Sequence, residues 1–273
     1  MQSIQSKNVL VTGAGRGIGK RLALGFAGHG ARLGLIARSK TELDLTQLEI
    51  EHGGGAAIRL RADVAHFAQI RAAVERMRAA FGEIDILICG AGILGPIGPM
   101  WTCDPKAWAA TIETNLLGVV NTCRAVLPSM VERRSGKILV LGGGGTMRPR
   151  PNFSAYAASK AAIVRFVETV AEEAADYNVQ INVLGPGPTY THMTDEILRA
   201  GERAGGRDLE EALQVRRNGG VSPDRQIELA LFLASEEANH ISGRLIHIRD
   251  NWKRLRHADL HPEVYTLRRV RRV

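Results

Sequence analysis

Cysteine is scarce, with three in 273 residues (Cys89, Cys103, Cys123). None is spaced as a metal or redox motif, and an odd number fits a reducing compartment better than a disulfide framework. No metal is expected. Long apolar runs are missing too: none reaches the roughly 18 residues that cross a bilayer. The opening MQSIQSKNVLVTG has no basic segment followed by an apolar one. Neither a membrane span nor a secretory signal is expected, and the expected location is cytoplasmic. Long linkers and internal repeats are also absent, which predicts one catalytic domain over residues 1–250 and a basic extension over 251–273. Charge is the one imbalance, at +8. From Arg249 to Val273 there are eight Lys/Arg against three acids, so that segment carries +5 of it. Basicity gathered in one terminal segment argues against a nucleic-acid face on the body. The segment reads as a solvated tail or a contact with a neighbouring subunit.

Apolar runs of strand length alternate with longer segments of helical period. The strand runs lie at 8–13, 32–38, 57–64, 84–90, 137–142, 179–187 and 243–249. A helix follows the first strand, AQIRAAVERMRAAFG forms another, and a long helix is predicted over about 104–130. Further helices carry Tyr156 and cover about 222–235. Strands this apolar, separated by helices, predict a parallel sheet covered on both faces.

The junction after the first strand reads VTGAGRGIGK. Gly13, Gly15, Gly17 and Gly19, with Arg16 and Ile18 between them, let the chain turn tightly and approach a pyrophosphate at a helix N-terminus. In this context the motif predicts a dinucleotide site and an α/β fold, a single Rossmann-type doubly wound parallel sheet with helices on both faces. The second strand ends in Ala37-Arg38-Ser39, with no acid for a ribose 2′-hydroxyl. Arg38 together with Arg16 suits a 2′-phosphate, which favours NADP(H), with NAD(H) as the alternative.

Tyr156 and Lys160 are four residues apart on one helix. They share a face, so the ammonium can sit beside the phenol and favour its phenolate. With TGAGRGIG (12–19), ADV (62–64), CGAG (89–92), ETNLLG around Asn115, YAASK (156–160) and INVLGPGPTYT (181–191), the chain resembles the short-chain dehydrogenase/reductase family over residues 7–248. The resemblance implies that Tyr156 is the general acid/base, and that Lys160 holds the nicotinamide ribose and lowers the tyrosine pKa. Asn115 is implied in a water relay ending at Lys160. Asp63 and Val64 would contact adenine, Ala91 and Gly92 would pass the ribose, and Thr191, after the Pro186-Gly187 turn, would bind the nicotinamide carboxamide.

The family's serine is missing. Its place, thirteen residues before the tyrosine, is Gly143, between Gly142 and Gly144. Backbone N–H groups of 142–145, the hydroxyl of Thr146 or Ser154, or a water or polar substrate group are the replacements the sequence offers. CGAG carries Cys89 where asparagine is common, a change expected to concern packing. The segment 192–220, with five arginines and six acids, is the expected lid and reads as solvated helices. Arg148 and Arg150, in RPRP, stand near the expected substrate mouth with Gly143 and Gly144; they suit a phosphate or carboxylate on the substrate, or else face water from a stiff loop. Trp101 and Trp108 could line this mouth, but core packing is the role expected of either. The sequence thus predicts an NADP(H)-dependent oxidoreductase interconverting a ketone or aldehyde and an alcohol on a polar, anionic small molecule. The alternative is a non-redox isomerase or dehydratase, or a cofactor-binding protein. A homotetramer or homodimer is the expected assembly, with neither nucleic acid nor membrane as partner.

Overall fold

Alternation along β1 (Asn8–Thr12) divides the molecule: Val9 and Val11 face one apolar core and Leu10 the other. The same split recurs on β2 (Arg32–Ala37), where Leu33 and Leu35 oppose Ile36. Both faces of the sheet are therefore buried, as expected where helices cover a parallel sheet on two sides. The computed structural model describes residues 4–257, 260–261 and 263–268.

Seven parallel strands run in the order β3-β2-β1-β4-β5-β6-β7. The remaining strands are β3 (Ala56–Arg61), β4 (Ile86–Cys89), β5 (Gly136–Leu141), β6 (Val179–Gly185) and β7 (Leu245–His247). Each sequence-predicted strand is present but shorter at one or both ends. The ladder stops where the glycine-rich connections peel away, as at Gly13, Gly90, Gly142 and Pro186. The order reverses between β1 and β4, and ligands of such sheets bind in the crevice outside the carboxyl ends at that point.

One core lies under α1 (Gly17–Gly28) and α9 (Pro223–Ala234), the other under α3 (Phe67–Phe81), α5 (Gly118–Glu132) and α6 (Ser154–Glu173). The helix predicted over 104–130 is α4 (Pro105–Ile112) and α5 joined by a π-helical turn, Glu113–Leu117. A wide turn of this kind re-aims a side chain within a helix, and here the turn carries Asn115. α2 (Lys40–His52) begins at an N-cap whose Ser39 hydroxyl accepts from the Glu42 N–H at 3.2 Å. Between β6 and α9 stand α7 (His192–Ala200) and α8 (Gly206–Asn218), the pair expected as a lid.

One expectation is corrected. Trp101 is 83 % exposed, on a short turn of helix beside exposed Met100, so it is not core. Trp108 is half-buried and donates through Nε1 to the Ser154 hydroxyl at 3.0 Å. The described part of the basic extension packs against its own chain at several points. Trp252 packs its ring 5.4 Å from Phe232, and Glu168 on α6 bonds the Leu267 N–H and Arg268. The rest of the extension, including Arg269, Arg271 and Arg272, lies outside the described residues. Among the described residues no helix is long and apolar enough to cross a membrane.

Candidate functional site

A cavity of about 530 Å³ opens at the carboxyl ends of β1, β4, β5 and β6. The β1–α1 loop forms its first wall. Gly13 and Gly17 hold φ of 69° and 59°, the left-handed region that glycine adopts freely. A Cβ on Gly13 would lie 2.7 Å from the Ala91 nitrogen, and one on Gly19 would lie 2.3 Å from the Gly13 carbonyl oxygen. Side chains are excluded there by backbone, so the loop can only be this close-packed as glycine. α1 starts at Gly17 with no side chain capping it, which leaves its first N–H groups and the positive end of its dipole at the cavity. Thr12 ties the first wall to the second: its hydroxyl accepts from the N–H of Gly90 at 3.1 Å and of Ala91 at 3.3 Å.

The cavity brings together most of the residues picked out in the sequence. From the first two walls come Gly13, Arg16, Gly17, Ile18, Gly19, Ala91 and Gly92. Gly143, Gly144, Arg148, Arg150, Tyr156 and Lys160 line the third, and Pro186, Gly187 and Thr191 the fourth. A Cβ on Gly17 would meet the Thr191 Cγ2 at 3.5 Å, so the glycine loop and the start of α7 face each other across the opening.

Five residues stand outside this lining: Gly15, Arg38, Asp63, Val64 and Asn115. Gly15 backs onto Glu42, whose Cβ lies 2.8 Å from where its own would be. Arg38 and Asp63 pair loosely at 3.8 Å, and Arg16 pairs with Glu42 at 3.3 Å. Val64 is buried and its carbonyl accepts from the Asn121 amide. Asn115 is fully buried behind Gly92. Its Oδ1 accepts from the Ile93 N–H at 2.8 Å, while its amide donates to the Ile93 carbonyl at 2.9 Å and the Ser159 hydroxyl at 3.0 Å.

α6 places Tyr156 and Lys160 on its buried face. Lys160 Nζ donates to the Leu141 carbonyl at 2.8 Å and lies 5.7 Å from the Tyr156 ring centre. Burial pulls the Lys160 ammonium down to about 8. Burial pushes the Tyr156 phenol above its usual value, and the charge that opposes this is Arg150. Nearby, Cys89 is buried in the core, where a hydrogen bond with Cys123 and then burial push its thiol up.

The lysine gives a pH prediction. Folded Lys160 releases its proton near 8, whereas an unfolded lysine does so near 10.4. Between those values the unfolded chain binds more protons, so raising pH favours the folded one. Compared with Lys160→Met, the wild type gains on the order of 3 kcal/mol of stability from pH 8 to pH 10.5 and nothing below that window. Urea unfolding of both proteins at pH 7, 9 and 10.5 checks this; a stability difference that stays constant with pH overturns it.

The glycines after β5 make room. A Cβ on Gly143 would lie 2.3 Å from the Tyr156 hydroxyl and 3.1 Å from Cζ, so the phenol occupies the space a serine would need. Arg150 fills the neighbouring space, its Nη1 3.3 Å from where a Cβ on Gly144 would be. Arg150 is not an open anion clamp and does not face water. Its Nε donates to Asp208 Oδ1 at 2.7 Å, with the two side chains 11 % and 10 % exposed, and its guanidinium stacks 4.1 Å from the Phe153 ring centre. Arg148 does stand free at the mouth, joined there by Arg207 and Arg249.

Sequence reasoning missed Arg207, Asp208, Glu211, His247 and Arg249, all of which line the cavity. It also missed the small apolar core beneath the lid, where Ile197, Ala204 and Ala212 pack on Leu94, Phe153 and Tyr156. The spacing of Ile197, Ala204, Ala212 and Val215 among charges was the available signal.

The short chain dehydrogenase family model matches residues 7–201. Oxidoreductase UcpA of Salmonella typhimurium is 35 % identical over 248 residues, covering 89 % of this chain and 93 % of that protein. The 2,3-dihydro-2,3-dihydroxybenzoate dehydrogenase of Bacillus subtilis is 33 % identical, covering 88 % of this chain and 94 % of its own length. Among solved structures, the actinorhodin polyketide ketoreductase with NADPH superposes with a TM-score of 0.82 at 27 % identity, covering 90 % and 97 % of the two chains. These matches take in the glycine-rich junction and the Tyr156–Lys160 helix alike, and the chain belongs to the short-chain dehydrogenase family of NAD(P)-dependent oxidoreductases.

Proposed function

We propose that the protein is an NADP(H)-dependent oxidoreductase that interconverts a ketone or aldehyde and an alcohol on a polar, anionic small molecule, with Tyr156 as the general acid/base. The observation that carries this reading is that Tyr156, Lys160 and the uncapped N-terminus of α1 line one cavity. The β1–α1 loop fits a pyrophosphate, since Gly13 and Gly19 leave no room for side chains and free N–H groups stand at the helix start. Ala91 and Gly92 would pass the ribose, Asp63 and Val64 would border the adenine, and Pro186-Gly187 with Thr191 would hold the carboxamide end. When bound, the nicotinamide supplies or accepts the hydride.

Tyr156 then delivers a proton to the carbonyl oxygen. Its raised pKa suits a donor that must stay protonated at neutrality, which favours the reductive direction. Lys160 supports the ribose and phenol from a buried position, and Asn115 fixes Ile93 and Ser159 around it. Arg148, Arg207 and Arg249 at the mouth suit an anionic substrate group. A homodimer or homotetramer is part of the proposal and is read by light scattering. Consumption of NADPH against a panel of carboxylated and phosphorylated ketones and aldehydes tests the whole; a protein that binds NADPH and never consumes it overturns it.

The preference for NADP(H) rests on Arg38 and Arg16. Both are more than half exposed, and their pairs with Asp63 and Glu42 are surface pairs that contribute about 0–1 kcal/mol. A 2′-phosphate can displace them. Arg38→Ala is expected to weaken NADPH binding about 10-fold or more, while NADH binding changes less than about 2-fold. Fluorescence titration with both nucleotides checks this; no loss for either would assign Arg38 to the solvated surface, and equal losses would place it on a part of the nucleotide that both share.

A further inference from the structure

We propose that Arg150, clamped by Asp208, takes the place of the absent serine: its guanidinium donates the hydrogen bond that holds the substrate's carbonyl oxygen beside Tyr156. This rests on the reductase reading above. Several of the other replacements are already engaged. The Gly142 N–H donates to the Leu184 carbonyl at 2.9 Å. The Gly143 N–H donates to the Thr146 hydroxyl at 3.3 Å, and that hydroxyl donates back to the Gly143 carbonyl at 2.6 Å. The Ser154 oxygen accepts from Trp108 Nε1 at 3.0 Å.

Arg150 has what the position needs. The guanidinium carbon lies 5.5 Å from the Tyr156 ring centre, against 5.7 Å for Lys160 Nζ. Asp208 takes the Nε–H, which leaves donors on the Nη groups of a fork that presents five N–H in all. The Asp208 bond, the Phe153 ring and the open face of Gly144 fix the fork in one orientation, and a fixed donor costs little to reorganise as charge develops. A serine in the family would use a short hydroxyl at Gly143. Here a long cation reaches in from the next loop, and two glycines clear the space for it and for the phenol.

The step balances with Arg150 as a hydrogen-bond donor only. As a hydride bonds to the carbonyl carbon, the C=O π pair moves to the oxygen. That oxygen takes the Tyr156 O–H proton, and Arg150 keeps all of its own. Arg150 is then a catalytic residue, and Asp208, acting through it, a positioning residue.

The test uses the full chain in three variants. Arg150→Ala removes the donor. Arg150→Met/Asp208→Leu removes the pair without leaving a buried unpaired carboxylate, which keeps the fold testable. Asp208→Asn keeps a hydrogen-bond partner for Arg150. The expected result is a kcat lowered about 10²–10³-fold in the first two, with KM for the carbonyl changed less than about 3-fold. Asp208→Asn loses less. Millimolar guanidinium restores part of kcat to Arg150→Ala and none to Tyr156→Phe. A second readout needs no turnover: the phenolate absorbance of the apo protein, minus that of Tyr156→Phe, should titrate at higher pH without Arg150. The other charged and titratable groups lining the cavity, Lys160 on the same helix and Arg16, Arg148, His192, Glu196, Arg207, Asp208, Glu211, His247 and Arg249 on other segments, are the same in wild type and Arg150→Ala. A phenol that titrates unchanged overturns the inference even if the enzyme turns over. So does a loss confined to KM, or one that guanidinium does not rescue. A shifted phenol in a protein that never consumes NADPH would support the Arg150–Tyr156 coupling while the reductase reading fell.

Discussion

Putting the family's serine back, as Gly143→Ser, lowers turnover about 10²-fold instead of raising it. The new Cβ would lie 2.3 Å from the Tyr156 hydroxyl, well inside contact distance, and the hydroxyl it carries would crowd the same place. Tyr156 cannot retreat freely, since Leu94, Phe153 and Ile197 pack around its ring. Overpacking a closed site costs about 1–3 kcal/mol. Moving a catalytic group by about 1 Å can cost a factor of about 10². The backbone at Gly143 is not in the left-handed region, so the penalty comes from space and not from dihedral strain. Gly143→Ala should therefore lose as much as Gly143→Ser, because the clash begins at Cβ. NADPH affinity should hold, since the β1–α1 loop is on another wall. Steady-state kinetics on both variants, with melting temperatures beside them, decide the matter. A serine variant faster than the wild type would mean that the phenol swings away from Gly143 in the working enzyme.

Tyr156→Phe carries the other large effect. Removing one hydroxyl leaves the ring, the lid core and the Arg150 stack in place, yet it removes the proton donor. A positioned general acid contributes about 10²–10⁴-fold, so kcat should fall by that factor with NADPH binding unchanged. The same substitution clears the space beside Gly143. The double variant Tyr156→Phe/Gly143→Ser should consequently recover the thermal stability that Gly143→Ser loses, and none of its turnover. Activity retained in Tyr156→Phe would send the search for the proton donor elsewhere. NADPH bound and never consumed by the wild type would bring forward the isomerase, dehydratase or cofactor-binding reading.

The sheet was legible because its strands are apolar throughout, and the cofactor loop because four glycines follow one such strand directly. Tyr156 and Lys160 could be read together because four residues on a helix are one turn. Asp208 could not be picked out. It sits in RDLEEA among acids of similar exposure in any periodic reading, and its partner is 58 residues away. The role of Gly143 was half legible: the missing hydroxyl shows in the sequence, but what fills the gap depends on how closely α6 approaches β5. Trp101 went wrong because size predicts burial only where a neighbouring element exists to cover it, and the turn at Met100–Thr102 stands proud of α4. The π-helical turn at Asn115 left no mark in a helical pattern that continues on either side of it.

The end of the chain has a bearing on self-association. β7 is the last strand of the sheet, and an outer strand offers a row of unpaired backbone groups to any passing chain. Its Leu245 N–H is already given to the Tyr265 carbonyl at 2.8 Å, so the returning segment blunts that edge in the manner of a short, irregular extra strand. Copies of this protein that meet along β7 must therefore do so through side chains and not by extending one sheet into the next. Shortening the chain before Tyr265 would turn a guarded border into a template for aggregation.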